Sequence, residues 1–205
     1  MSLAVRNRIE PAEPNALPTA RVHRFTVEQY HRMIESGVLR EHDRVILLDG
    51  LIVTKMTHNP PHDVAVDLTQ GEVSARLPRD WRVRVQSAVT LAESEPEPDV
   101  AVVRGPARRY RKAHPGPRDI GILIEVADSS LAEDRTVTGP LYAKAKIPVY
   151  WIVNLVERKV EVYSQPRAGR SPAYADRRDY AANEQVPLVL ENRLLGHIPV
   201  DDLLP

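Results

Sequence analysis

Two acidic residues occupy positions where a strand seldom keeps them. Asp99 opens the apolar run DVAVV directly after Pro98, and Glu125 lies near the end of IGILIEV. A carboxylate embedded in such a strand is costly unless it is paired, protonated or bound to a cation. Either residue taken alone also fits a strand end that simply reaches water. On neighbouring strands the two would converge, and converging carboxylates repel unless a hard ion such as Mg²⁺ or Mn²⁺ binds them. Oxygen ligands on rigid strands suit metal-assisted phosphodiester hydrolysis, in which the ion activates a water and neutralises charge on the phosphate. Other chemistries find less to work with. Seven histidines without a cysteine exclude a zinc finger, and the histidines lack metal-ligand spacing. The glycines are scattered singly, so no phosphate-cradling loop is visible, and there is no G-x-S-x-G element.

The elements that must position these residues follow from periodicity and caps. Thr26 and Gln29 form a capping-box pattern ahead of the stripe Val27, Tyr30, Met33 and Ile34, and Gly37 supplies a stop. Residues 44–49 and 51–56 read as strands joined at Asp49-Gly50, a hairpin signal. Asn59-Pro60 opens a second helix with Val64, Leu68, Gly71 and Ala75 on its apolar side. Residues 81–86 alternate as a half-buried strand does, while 99–103 and 120–126 are continuous enough to be covered on both faces. Between them RGPARRYRKAHPGPRD reads as a long loop. A helix over about 136–145, a buried strand PVYWIVNL and a hairpin partner at 158–163 follow, with one more edge strand at 186–190. This order predicts an α/β fold, a mixed β-sheet flanked by helices, with an N-terminal hairpin. Residues 1–21 carry Pro11, Pro14 and Pro18 without periodicity and are expected to form a flexible arm, leaving 22–205 as a single domain.

The chain has 205 residues, 42% of them hydrophobic, with 28 basic residues balancing 28 acidic ones. That neutrality argues against a general polyanion binder but allows a local basic patch. The absence of cysteine, of a bilayer-length apolar run and of a secretory pattern makes cytoplasmic the expected location, with no membrane partner. Several residues carry two readings. His62, behind two prolines at a helix start, either orients a water or phosphate or is a polar residue of a first turn. Asp134 and Arg135 begin the helix after Glu125, where Asp134 either complements the helix dipole or has a secondary role in the site. Gln86 reads as a buried structural amide, and Tyr150 and Trp151 as core. Arg104, Arg108, Arg109, Arg111, Lys112 and Arg118 either contact phosphates or form a solvated loop, and the acidic ESEPEPD could fold part of that loop back.

Taken together, EPEPDVAVV, ILIEVADSSLAEDRTV and LYAKAKIPVYWIVNL resemble the PD-(D/E)XK, or restriction-endonuclease-like, superfamily. With FTVEQY, LLDGLIV and PPHDVAV upstream, the chain is similar to the Uma-two family within it, over roughly residues 24–165. The resemblance implies the fold, a nucleic-acid substrate such as DNA, and metal-binding roles for Asp99 and Glu125, with the backbone carbonyl of Val126 completing the shell. A homodimer is a further expectation by analogy. The superfamily's lysine falls at Ala127 here, and the family's alternative lysine falls at Thr138; its hairpin acids fall at Ile46 and Leu51. Thr138 cannot supply positive charge. The implied enzyme, a Mg²⁺- or Mn²⁺-dependent DNA endonuclease, is therefore expected to be weakened. The alternative is a degenerate nuclease fold serving as a nucleic-acid-binding or protein-interaction module. Lys144 and Lys146 are not simple replacements, since neither shares both angle and height with Thr138 on a helix.

Overall fold

Thr26 starts the first helix, α1 (Val27–Glu35), through a reciprocal cap. Its hydroxyl accepts the Gln29 N–H at 3.2 Å while its own N–H donates to Gln29 Oε1 at 2.8 Å. The computed structural model describes residues 22–205, so the arm expected over 1–21 lies outside the described residues. The hairpin β1 (Val45–Leu48) and β2 (Leu51–Thr54) closes through Asp49 and Gly50, both with positive φ (47° and 76°), the backbone a tight primed turn demands. A Cβ on Gly50 would meet Arg24 Cβ at 2.7 Å, so no other residue fits there.

Helix α2 (Pro60–Ser74) is capped by Asn59, whose side chain accepts the His62 N–H at 3.1 Å. It buries a different side from the one the sequence suggested. His62, Ala65, Val66, Thr69 and Val73 face the interior, whereas Val64 and Leu68 are 47% and 37% exposed. Small residues at 65 and 69 let the helix lie closely on the sheet, and that advantage outweighs the larger apolar side chains one position away.

The main sheet has six strands in the order β3-β4-β5-β6-β7-β8: β3 (Trp81–Val85), β4 (Val100–Arg104), β5 (Ile120–Ala127), β6 (Val149–Asn154), β7 (Lys159–Arg167) and β8 (Ala173–Ala181). All neighbours are antiparallel except β5 and β6, which are parallel and require a crossover. That crossover is α3 (Leu131–Glu133), a π-helical turn (Asp134–Thr138) and α4 (Gly139–Lys144). The helix expected from 136 thus begins at Leu131 and widens in the middle, a distortion often found at functional sites.

Each sheet face has its own core. Val100, Val102, Ile122, Ile124, Trp151 and Val153 pack toward α2. Ala101, Val103, Leu123, Tyr150 and Ile152 pack toward Tyr142 of α4. The expected edge strand at 186–190 is β9 (Gln185–Leu190), but it pairs with β10 (Arg193–Pro199) in a separate two-stranded sheet. The edges of the main sheet are β3 and β8, and the AYADRRDYA of β8 shows no apolar alternation because an exposed edge strand is protected by charge instead. The basic loop contains two short 3₁₀ turns, Ala107–Tyr110 and Pro117–Asp119.

Candidate metal centre

The register of β4 and β5 decides where the two acids meet. Val100 pairs with Ile124 in antiparallel register, which sets Asp99 opposite Glu125 on one sheet face, the face covered by α4. Each acid is then tied to the other's strand. The Asp99 N–H donates to Glu125 Oε2 at 3.1 Å, and the Val126 N–H donates to Asp99 Oδ2 at 2.9 Å. Two further elements close the site. The first turn of α2 brings His62 Nε2 to 3.0 Å from Asp99 Oδ2, and α4 brings the Tyr142 hydroxyl to donate to Glu125 Oε1 at 2.6 Å. Asp134, from the π-turn, is buried and accepts the Ser130 hydroxyl at 2.7 Å. All five side chains border one cavity of about 380 Å³.

Crowding of acids dominates the electrostatics. Burial, then the charges of Asp99 and Asp134, push the Glu125 carboxyl well above its ordinary range. Burial likewise raises Asp134 to about 7, with Asp99 and Glu133 adding repulsion against the Ser130 hydrogen bond. For His62 burial is the largest single influence and opposes the charge, but the hydrogen bond and charge of Asp99, joined by Asp63, together outweigh it and raise the imidazole above its ordinary value. Burial against Glu125 keeps Tyr142 a neutral donor.

Sequence spacing did not reveal a second histidine. His58 stacks on His62 with ring centroids 4.2 Å apart, and ligand atoms of His58, His62 and Asp99 lie within 4.8 Å of one another. The i, i+4 separation was the available signal, but Asn59-Pro60 between them breaks the helix that gives such spacing its meaning. Gln86 Nε2 lies 3.0 Å from His58 Nδ1. Gln86 is exposed, with φ of 43°, and lines the cavity, so the expectation of a buried structural amide is corrected. The donor set fits a divalent ion. His58, His62 and Asp99 offer ligand atoms within 4.8 Å of one another, Asp99 repels the charge of Glu125 beside it, and the buried His62 Nδ1 has no hydrogen-bond partner among the described residues, Asp63 Oδ1 being 3.6 Å away.

The remaining sequence candidates divide clearly. Thr138 and Ile46 both line the cavity, whereas Ala127 is buried in the core beneath it. The Val126 side chain turns into the opposite core while its N–H serves Asp99. Lys144 is drawn away to Asp49 at 3.0 Å and Glu93 at 2.6 Å, which tethers the hairpin, and Lys146 is exposed outside the cavity. The cations that do line it are Arg44 and Lys55, and Lys55 is paired with Glu97. Arg135 pairs with Glu157 and the fully buried Glu161, fastening the π-turn to β7. The acids of ESEPEPD do not draw in the basic loop. Glu93, Glu95 and Glu97 bind Lys144, His31 and Lys55 instead.

Comparison with known proteins agrees with this architecture. The profile of the Uma2 family, described as "putative restriction endonuclease", matches residues 27–194. A crystal structure described as that of "a putative nuclease belonging to DUF820" from Anabaena variabilis ATCC 29413 matches with a TM-score of 0.62 and 13% identity, covering 87% of this chain and 97% of that one. At that identity the likeness is one of fold, and it is the expected mixed sheet flanked by helices. No curated protein matches the chain. Among the described residues no helix is long and apolar enough to cross a membrane.

Proposed function

The chain belongs to the Uma2 family, and from that membership we propose that it is a divalent-metal-dependent nuclease that hydrolyses DNA phosphodiester bonds. The observation that carries the proposal is the mutual engagement of Asp99 and Glu125, each hydrogen-bonded to the other's strand beside a third buried acid. Such an arrangement is unfavourable in an empty site and favourable around a cation.

Asp99, Glu125 and His62 would hold Mg²⁺ or Mn²⁺, with the Val126 carbonyl as a further oxygen ligand and His58 as a second imidazole. When bound, such an ion supplies a water of lowered pKa and neutralises charge on the phosphate under attack. The chain's own residues do the rest. Tyr142 fixes the Glu125 carboxylate through its hydroxyl, so this ligand is oriented before anything binds. Asp134, buried on the same cavity wall, would be an acceptor for the proton that the attacking water releases. His58 and Gln86, 3.0 Å apart, form a polar part of the cavity wall on which a scissile phosphate can rest.

A second reading keeps the fold and drops the catalysis. It draws on Thr138 and Ile46, which put a neutral hydroxyl and an apolar side chain on the cavity wall, and on the pairing of Lys55 with Glu97. Cleavage of supercoiled DNA with Mg²⁺ or Mn²⁺ separates the two. Nicking that disappears in Asp99→Ala supports the enzyme. Intact DNA at every ion and time point, with the variant binding DNA as wild type does, supports the binding module.

A further inference from the structure

We infer that the open edge of the sheet along β3, with the first turn of the basic loop, is a docking surface for the phosphate backbone of a nucleic-acid strand leading into the metal cavity. This inference rests on the nuclease reading for its occupant and on separate residues for its argument.

The need for such a surface comes from the cavity itself. Glu97, Asp99, Glu125, Asp128, Glu133 and Asp134 line it, and besides its histidines the basic side chains among the described lining residues are Arg44 and Lys55, of which Lys55 is already paired. Even a divalent ion leaves so acidic a wall poorly suited to attract a polyanion. Attraction must come from outside it, since phosphate contacts supply most sequence-independent affinity.

Along β3 the opposite charge is concentrated. Arg82 and Arg84, two residues apart, project from the same side of the strand into a groove of about 360 Å³ that they share with Gln70, Ser87 and Tyr110. Among the described residues no acid lines this groove. Two neighbouring arginines are committed. Arg104 binds Asp80 and Glu191, and Arg109 binds Asp119. Arg82 and Arg84 make no ion pair among the described residues, and the Nε atoms of both are buried without a hydrogen-bond partner. The strongest polar contacts of Arg84 are at 3.5 Å, to Ala88 O and His114 Nδ1, and its guanidinium lies 5.6 Å from the Tyr110 ring centroid. Two adjacent guanidiniums with free donors and no counter-charge are an anion site awaiting its anion.

The loop extends the same field. Arg108, Arg111 and Lys112 flank Tyr110, are exposed and have no ion pair among the described residues. The connection to the cavity is direct. Ser87 lines the groove and its neighbour Gln86 lines the cavity, so a strand lying on Arg82 and Arg84 passes over these residues toward Asp99. In a chain of zero net charge, unpaired cations gathered beside one acidic cavity amount to a division of labour. The edge attracts and the cavity cuts.

The test is binding of a fluorescein-labelled 20-nucleotide DNA duplex, followed by anisotropy in EDTA over a KCl series so that cleavage does not intrude. Arg82→Ala/Arg84→Ala should bind at least tenfold more weakly at moderate salt. The slope of log affinity against log salt should fall by about two, close to one for each phosphate left without its arginine. Arg108→Ala/Arg111→Ala/Lys112→Ala should show the same trend, and lying on an exposed loop it should not disturb the sheet. Arg170→Ala/Arg178→Ala removes two charges at the opposite edge and should change affinity less than twofold. Equal weakening in groove and control variants, or unchanged binding in both groove variants, would overturn the inference. So would inorganic polyphosphate competing as well as DNA of equal charge. If wild type fails to cleave with Mg²⁺ or Mn²⁺ while this pattern of binding holds, the nuclease reading falls and the docking surface stands.

Discussion

Asp134→Asn should make the ligand-free protein more stable, and by an amount that grows with pH. Asp134 is 7% exposed, accepts the Ser130 hydroxyl and titrates at about 7, against an ordinary value of 3.8. Its folded pKa lies above its unfolded one, so the native state binds more protons between those values and stability falls as pH rises through that window. Below it both states are protonated and nothing is lost; above it the loss is constant. About three pKa units at 1.36 kcal/mol each give an upper limit of about 4 kcal/mol at pH 8. Asparagine keeps an oxygen for the Ser130 hydroxyl and has no charge to desolvate. In urea denaturation with EDTA, the variant should gain less than about 1 kcal/mol near pH 4 and up to about 4 kcal/mol at pH 8. For a chain of this size that corresponds to a rise in Tm of roughly 8–15 °C at the upper limit. Saturating Mn²⁺ should shrink the difference, because an ion bound to the native state stabilises wild type most. A gain independent of pH, or a loss at pH 8, would refute the reasoning.

Thr138→Lys places an ammonium on the cavity wall and should raise the rate of DNA cleavage by about two orders of magnitude. Adding Asp99→Ala should remove that gain, and single-turnover cleavage of plasmid DNA reads both results. Gly121→Ala should destabilise the fold by roughly 1–3 kcal/mol in the same urea assay while leaving metal binding unchanged. The added Cβ would lie 2.3 Å from Leu190 Cδ1 and 2.9 Å from the Trp81 ring, far from the carboxylates.

Where a local rule and the tertiary demand coincide, the sequence could be read directly. Thr26 caps α1, Asp49-Gly50 turns the hairpin, and the apolar runs of β4, β5 and β6 sit side by side in the sheet. Legibility failed where packing chose against the larger side chain, as at Val64 and Leu68, and where an edge strand such as β8 hid behind its charges. In the site, the strands carrying Asp99 and Glu125 were visible because a lone acid interrupts an apolar run. Tyr142 and Lys55 were not, since a tyrosine in a helix and a lysine after a strand carry no signal until the crossover and the hairpin bring them to the cavity. His58 needed the chain to turn at Asn59-Pro60 before its ring could stack on His62.

The central claim is that Asp99 and Glu125 together hold one divalent ion. Titration of Mn²⁺ into the metal-free protein, followed by the loss of its free electron-spin resonance signal, measures this without any substrate. Wild type should bind one tight equivalent, and Asp99→Asn and Glu125→Gln should each weaken that binding at least tenfold while thermal unfolding shows both variants folded. Wild-type binding no tighter than that of the Asp99→Asn/Glu125→Gln double variant would contradict the account.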